Sequence, residues 1–168
     1  VLQVMVSFKS VACRHAIGQY TVDGAPSSTD LHGYPMITYE TSVKLHHTDA
    51  AGLLFFGHQF ALAHDAYERL MEEIGFSFAH IIAETSFLVA IVRAEADFEA
   101  QMNVGDRLTI RVTVERLGET SYTLAYELIR PDRGRVGAVR TVHVCIDKKT
   151  RQKRQLPEDL RLALEPHA

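Results

Sequence analysis

One long amphipathic helix pattern, placed ahead of a series of strand patterns, is the feature of this sequence that most constrains its fold. Apolar residues recur there at three- and four-residue spacing, which places them in one stripe along a helix: Phe60, Ala63, Tyr67, Leu70 and Ile74. Gly75 follows, at the position where helix ends favour glycine. We therefore predict a helix over residues 57–74.

The remaining regular patterns alternate apolar and polar residues with a period of two, which is typical of half-buried strands. They cover residues 38–46 before the helix, and 86–99, 108–115, 122–128 and 136–147 after it. Pro157 then opens a short terminal helix. This order predicts an α+β fold, with one helix on a face of a meandering antiparallel sheet. It excludes a Rossmann-type fold, as does the absence of a glycine-rich dinucleotide signature.

The first 35 residues differ in composition from the rest of the chain. Residues 23–35 are rich in glycine, proline, serine and aspartate, a composition typical of linkers. We predict that residues 1–35 form an N-terminal extension or linker, with an artefact of start-site choice as the alternative. The functional domain is then residues 36–168.

The composition of the 168 residues is that of a globular domain, with 46% hydrophobic and 23% charged residues. The formal net charge of −3 gives no electrostatic footprint for nucleic acid, and no apolar run reaches the length of a membrane span, so we expect neither as a partner. Two cysteines, Cys13 and Cys145, form no disulfide framework and fit a reducing compartment such as the cytoplasm. One helix covers only part of a sheet, which predicts a homo-oligomer.

Several kinds of catalytic site are excluded or disfavoured by the sequence. No Gly-x-Ser-x-Gly elbow is present, so an α/β-hydrolase serine is excluded. Cys145 lies within a strand pattern, where a buried structural thiol is commoner than a nucleophile. His46 and His47 are adjacent, and His58 and His64 fall on different sides of the helix, so we expect no metal site.

Asp49 is the candidate catalytic residue, in a loop between the first strand and the long helix. Aspartate at this place is common as a turn or cap residue, which is the first interpretation. In the second, the carboxylate attacks an acyl carbon or activates water, opposite the unsatisfied N–H groups of the helix start. Gly52 would let the backbone approach a ligand, while apolar neighbours such as Leu53 and Phe55 would wall the site.

Two further groups of residues have both a structural and a functional interpretation. His64 and Glu68 are four residues apart on the helix, which suits an ordinary surface pair or a contact with substrate. The basic residues between 148 and 154 suit a solvated connector or a contact with a phosphorylated ligand.

A family resemblance rests on several segments of the sequence. Residues 49–56, DAAGLLFF, followed by a helix, resemble the active-site signature of hotdog-fold acyl-CoA thioesterases of the 4-hydroxybenzoyl-CoA type. Further matches are HDAYE at 64–68, VGDRL at 104–108, TVHVCI at 141–146 and LP at 156–157. Together they are most similar to the members of this family that act on 1,4-dihydroxy-2-naphthoyl-CoA in menaquinone and phylloquinone synthesis.

The resemblance implies a hotdog fold, a helix wrapped by an antiparallel sheet, that forms dimers and often tetramers. It implies that Asp49 is the catalytic nucleophile or general base, and that the N–H groups of Phe56 and Gly57 polarise the thioester carbonyl. Gly52, Leu53, Phe55, His64 and Glu68 are the expected substrate-binding residues. No cofactor or metal is implied, since coenzyme A is part of the substrate.

Two positions depart from the family pattern. His47 stands where many members have an acidic residue or serine, and Phe56 where many have tyrosine or histidine. A role of the Phe56 N–H survives that change, whereas a side-chain role does not. A second thioesterase branch has a catalytic glutamate in the helix, for which Glu68 is the alternative here.

The expected function is hydrolysis of an aromatic acyl-CoA. The first alternative is the same reaction on a short aliphatic, benzoyl or phenylacetyl thioester. The second is a non-catalytic acyl-CoA-binding module on the same fold. Hotdog hydratases need a histidine five residues after the aspartate, and Leu54 occupies that position.

Overall fold

The computed structural model describes the backbone of Met5–Phe8 and the whole of residues 37–168. The strands are β1 Met5–Phe8, β2 Ile37–Ser42, β3 Phe87–Phe98, β4 Arg107–Leu117, β5 Ser121–Arg130 and β6 Gly134–Asp147. The helices are α1 Phe56–Glu73, α2 Phe78–Glu84 and α3 Glu158–Leu164, with 3-10 turns at Leu45–His47 and Glu165–His167.

The described strands form one sheet in the order β1-β3-β6-β5-β4-β2. Strands β2 to β6 pair antiparallel as predicted, and β1 lies parallel to β3. The predicted meander holds only for β4, β5 and β6, because β3 pairs with β6 and β2 pairs with β4. The predicted α+β class is confirmed. Strand β1 comes from the stretch predicted to lie outside the domain, and the rest of residues 1–35 is outside the described part, so the domain boundary stays a prediction.

Helix α1 packs on one face of the sheet and begins and ends within one residue of the predicted bounds. Its buried face includes Leu62, Ala66 and Leu70, none more than 1% exposed. Apolar side chains from β4, β5 and β6 complete the core beneath it: Leu108, Ile110, Leu124, Leu128 and Val136. Of the predicted stripe, Ala63, Tyr67 and Leu70 are buried, whereas Phe60 and Ile74 are partly exposed. The amphipathic pattern therefore predicted the helix and part of its buried side.

The first predicted strand was too long. Residues 38–46 were predicted as one strand, but β2 ends at Ser42 and the chain turns into the 3-10 turn Leu45–His47. Two local hydrogen bonds cause the turn, since the N–H of His47 donates to the carbonyl of Lys44 and the N–H of Lys44 donates to Nδ1 of His47. Leu45 is consequently 76% exposed instead of facing the core.

A β-bulge in β3 changes which of its residues face the helix. The pairing with β6 shifts between Ile91 and Arg93, so Val92 is the extra residue. Residues three apart in a regular strand point to opposite faces. Because of the bulge, Ile91 and Ala94 both line the same cavity on the helix side.

The opposite face of the sheet carries charged side chains that pair across strands. Examples are Arg135 with Glu99, at 2.8 Å, and Arg140 with Glu115. We expected this uncovered face to need a partner, but a face made of ion pairs is compatible with water. The edge of the sheet is therefore the better candidate for a contact between copies of the chain.

Candidate active site

Asp49 lies in a tight turn and its side chain is exposed. Its Oδ1 accepts hydrogen bonds from the N–H groups of Ala51, at 2.8 Å, and Leu53, at 3.3 Å. Its own N–H donates to the carbonyl of Leu53, at 2.9 Å. Oδ1 of Asp49 therefore has the structural role in a turn that the first interpretation predicts. The described residues give Oδ2 no hydrogen bond, so the turn orients the carboxylate and leaves one oxygen for chemistry.

Gly52 closes this turn with φ of 76°, a conformation that favours glycine. A Cβ there would meet no atom within 4 Å, so the backbone angle and not crowding requires glycine. The carbonyl of Gly52 accepts from the N–H of Val104, and the N–H of Leu54 donates to the carbonyl of Met102. These bonds to the 102–104 turn hold the Asp49 loop in place.

Helix α1 begins directly after this loop, with Phe55 as its N-cap residue. Phe55 provides no side-chain cap, and the first turn contains no acidic residue. The first N–H groups of a helix have no partner within the helix and carry its positive end. Phe56 and Gly57 occupy the first two helical positions. The structure thus places both predicted carbonyl-polarising residues in the first turn of α1, at the positive end of the helix dipole.

Histidines surround the loop but serve mainly to hold it. Nδ1 of His58 donates to the carbonyl of His47, at 2.8 Å, because a carbonyl oxygen can only accept. Nδ1 of His47 accepts from the N–H of Lys44, at 3.1 Å. Burial, and then the neighbouring His46 and His58 rings, lower the pKa of His47. A neutral His47 suits its role as an acceptor in the turn.

Gln59 anchors the helix start to the sheet and was missed by sequence reasoning. Its buried amide nitrogen donates to the carbonyls of Asp97 and Ala138, both at 3.0 Å. Gly137 makes room for this amide, since a Cβ there would lie 2.9 Å from the nitrogen. In the sequence, the one indication of this role is that Gln59 is a polar residue on the apolar face of the predicted helix. Gln59 fixes where the first turn of α1, with Phe56 and Gly57, lies relative to the sheet.

A cavity of about 350 Å³ opens between α1 and the sheet. The helix supplies Phe60, Ala61 and His64, and the sheet supplies Ile91, Ala94, Tyr126 and Thr141. This volume is at the lower end of the range of about 300–1,000 Å³ for small-molecule sites. Phe60 follows Phe56 by one helical turn, or about 6 Å along the helix axis. The cavity therefore begins about one turn from the helix start.

His64 and Glu68 form the surface pair that their spacing indicates. His64 Nε2 lies 3.5 Å from a Glu68 carboxylate oxygen, and about half of each side chain is exposed. His64 also lines the mouth of the cavity, whereas Glu68 does not. The structure thus favours His64 over Glu68 as a contact for a ligand in the cavity.

Other candidate sites have structural explanations. Lys148 donates to the carbonyl of Ile82, and Arg154 donates to Oγ of Ser86, at 3.0 Å, so two basic connector residues stabilise the fold. Cys145 is buried, and burial raises the pKa of its thiol, which disfavours a nucleophile. A larger depression of about 460 Å³ lies on the charged face of the sheet, on the side away from α1.

The described part of the chain offers neither a metal site nor a membrane-spanning helix. Residues 37–168 contain no cluster of three or more histidine, cysteine or acidic side chains that could hold a metal ion. No helix there combines the length and apolar character needed to cross a membrane.

Comparisons with known proteins point to one family. Residues 43–164 match the Thioesterase-like superfamily. A 1,4-dihydroxy-2-naphthoyl-CoA hydrolase of Rippkaea orientalis is 32% identical over 127 residues, which cover 74% of this chain and 92% of that protein. A hydrolase of the same name from Nostoc punctiforme is 33% identical over 123 residues, covering 73% and 82%. The crystal structure of a 1,4-dihydroxy-2-naphthoyl-CoA thioesterase from Synechocystis superposes with a TM-score of 0.72 and 31% identity, covering 77% of this chain and 95% of that one.

Proposed function

Because this chain belongs to the thioesterase-like superfamily of hotdog-fold proteins and is a thioester hydrolase, we propose that it hydrolyses 1,4-dihydroxy-2-naphthoyl-CoA, in menaquinone or phylloquinone synthesis. The observation that carries the proposal is the Asp49 turn directly before the start of α1, with a mostly apolar cavity one helical turn further on. The names of the relatives support the choice of acyl group.

The chemistry divides between the carboxylate and the helix start. Oδ2 of Asp49 attacks the thioester carbon or takes a proton from the attacking water, and both mechanisms use the same geometry. The N–H groups of Phe56 and Gly57 polarise the carbonyl and stabilise the oxyanion. If Asp49 attacks, the C–S bond breaks to leave an acyl-aspartyl anhydride, which water then hydrolyses to free the carboxylate of Asp49. If Asp49 activates water, the C–S bond of the water adduct breaks directly. In both cases a proton from water ends on the sulfur of coenzyme A, which leaves as the thiol, and the oxygen of water ends in the carboxylic acid. These steps use no group beyond the protein, the substrate and water.

The substrate-binding residues have distinct roles in this proposal. Gly52 and Leu53 shape the turn that orients Asp49. Phe55, which is 42% exposed, forms an aromatic wall beside the helix start. His64 contacts the acyl group at the cavity mouth, and Glu68 orients the His64 ring through their pair. Glu68 is thus a positioning residue, and the alternative of a catalytic glutamate is not favoured.

A substrate panel tests the acyl group. We expect kcat/KM for 1,4-dihydroxy-2-naphthoyl-CoA to exceed that for acetyl-CoA and hexanoyl-CoA by about tenfold or more, because aromatic side chains line the approach and the cavity. Release of free thiol measures each rate. Benzoyl-CoA and phenylacetyl-CoA show whether the second ring is required. A preference for aliphatic thioesters would overturn the naphthoyl assignment.

The non-catalytic module makes the opposite prediction in the same assay. It would bind acyl-CoA and release no thiol from any substrate in the panel. The exposed carboxylate of Asp49, already oriented by its turn, supports the hydrolase instead.

We further propose that the chain forms a homodimer, and a dimer of dimers, through the edge of β3. Within the described residues β1 pairs only with residues 93–96 of β3, so the outer backbone edge of residues 87–92 has no neighbouring strand. This half of β3 is an apolar run whose members are mostly part-exposed. An unpaired apolar edge is suited to pairing with a second copy.

Light scattering measures the oligomer directly. We expect a mass of two or four times the 18.8 kDa chain at micromolar concentration. A monomer under these conditions would contradict the proposal.

The cytoplasm remains the proposed compartment, since the sequence has only two cysteines.

A further inference from the structure

A chain of hydrogen-bonded polar groups lies behind the apolar cavity and is not used by the proposed mechanism. The hydroxyl of Thr141, on the cavity wall, is 3.1 Å from the hydroxyl of Tyr126 and 2.6 Å from Nε2 of His143. All three residues are buried, and His143 is fully inaccessible to solvent. Buried polar groups are costly, so their presence here calls for a physical reason.

His143 is held in place by aromatic rings and not by a second hydrogen bond. Its ring stacks on Tyr122 with centroids 4.8 Å apart and an interplanar angle of 4°, and lies 4.4 Å from the ring of Tyr67. Its Nδ1 is buried and has no hydrogen-bond partner within the described residues. Burial lowers the pKa of His143 to about 3, so the ring is neutral at pH 7 and carries one N–H.

The hydrogen-bond network indicates which nitrogen carries that proton. With the proton on Nδ1, a buried N–H would have no acceptor, and such orphaned donors are rare in native proteins. With the proton on Nε2, the N–H donates to the oxygen of Thr141, so the tautomer is assigned from this network. The oxygen of Thr141 is then an acceptor for His143. Its second lone pair can accept from the hydroxyl of Tyr126, at 3.1 Å, and this arrangement leaves the hydrogen of Thr141 for donation to a ligand.

Apart from Tyr126 and His64, the residues that line the cavity with Thr141 are apolar. Two small residues, Ala61 and Ala94, leave the space open, and Ala94 pairs directly with Thr141 across β3 and β6. The bulge at Val92 puts Ile91 and Ala94 on the same wall, which gives Thr141 apolar neighbours. A pair of bonded hydroxyls, Thr141 and Tyr126, in a mostly apolar pocket is the kind of arrangement that gives a small-molecule site its orientation and specificity.

From this arrangement we propose that Thr141 is a specificity residue, whose hydroxyl donates a hydrogen bond to an oxygen substituent on the aromatic ring of the acyl group. The substrate class is therefore ring-hydroxylated aromatic acyl thioesters, in preference to unsubstituted ones. His143 is a positioning residue that keeps Thr141 a donor. This inference rests on the proposed function and adds the feature of the acyl group that the cavity recognises.

The test compares three substrates that differ only in ring hydroxyls: 1,4-dihydroxy-2-naphthoyl-CoA, 1-hydroxy-2-naphthoyl-CoA and 2-naphthoyl-CoA. For the wild type, the ratio of kcat/KM between the first and the last should be about tenfold or more, since an unpaired buried polar group penalises the unsubstituted ring. Thr141→Val has nearly the same shape without the hydroxyl, and should reduce that ratio to about one. Thr141→Ser keeps the hydroxyl and should restore most of the ratio.

Thr123→Val is the matched control, because Thr123 is also a buried threonine but does not line the cavity. It should leave the ratio at the wild-type value. If Thr141→Val lowers kcat/KM for all three substrates equally, Thr141 has only a structural role and the inference is wrong. A wild-type ratio near one, with good turnover, refutes the inference while the proposed function stands.

Binding of the free acids separates this inference from the hydrolase proposal. Calorimetry with 1,4-dihydroxy-2-naphthoate and 2-naphthoate measures recognition of the ring without turnover. The wild type should bind the hydroxylated acid about tenfold more tightly, and Thr141→Val should bind the two alike. No turnover of any naphthoyl thioester, with this binding difference present, would refute the proposed function and leave recognition by Thr141 supported. Equal binding of both acids by the wild type would refute the inference.

Discussion

Replacing Asp49 with asparagine should lower kcat on 1,4-dihydroxy-2-naphthoyl-CoA by about 100-fold or more, the range over which general-base or nucleophilic groups contribute. Asparagine keeps a carbonyl oxygen that can accept from the N–H groups of Ala51 and Leu53, so the turn should persist. The loss would then report on the chemistry of Oδ2 and not on the loop. Free-thiol release measures kcat, and thermal unfolding checks that the variant is folded.

Asp147→Asn is a closely matched control. Asp147 also uses Oδ1 to accept backbone N–H groups in a turn, those of Lys149, at 3.0 Å, and Thr150, at 2.8 Å. It lies at the end of β6, and neither the Asp49 loop nor the cavity wall includes it. Asp147→Asn should keep turnover near the wild-type value. Wild-type turnover in Asp49→Asn, or an equal loss in both variants, would rule out Asp49 as the catalytic group.

The sequence predicted Asp49 because its chemistry and its position are both local. A carboxylate next to a glycine turn and a helix start can be recognised from a short stretch of residues, and the same hydrogen bonds that make it a turn residue orient it. The long helix and the four strands after it were predicted for a similar reason, since their periodicity is visible along the chain. The end of β2 was not, because the turn depends on which nitrogen of His47 faces Lys44.

The cavity could not be predicted because it is made by contacts between distant segments. The continuous apolar run at residues 87–92 gave no sign of the bulge at Val92, which turns Ala94 toward the helix. Thr141 and His143 alternate with apolar residues in β6 as ordinary strand residues do. A weak signal was present, since both lie on the face shared with buried Val139 and Cys145. Only the packed structure shows that their polar atoms bond to one another.

His143 should make the folded state sensitive to mild acid. Burial, and then the charge of His64, lower the pKa of His143 to about 3, whereas an unfolded histidine has a pKa near 6.5. Below pH 6.5 His143 is protonated in the unfolded chain but stays neutral in the folded chain, so the free energy of unfolding falls as the pH drops toward 3. Between pH 7.5 and pH 5 the loss from this group is about 2 kcal/mol.

His143→Phe removes the titrating group while keeping a ring that can stack on Tyr122. Between pH 7.5 and pH 5, the free energy of unfolding of this variant should therefore decrease by about 2 kcal/mol less than that of the wild type. The comparison uses the slope against pH, since the lost hydrogen bond to Thr141 lowers stability at every pH. Urea unfolding at several pH values measures both slopes. His80→Gln is the control for removing a histidine, because His80 lies on the surface beside Glu84 and outside the core. Parallel slopes for the wild type and His143→Phe would mean that His143 is protonated as readily in the folded chain as in the unfolded one, and the lowered pKa of His143 would be wrong.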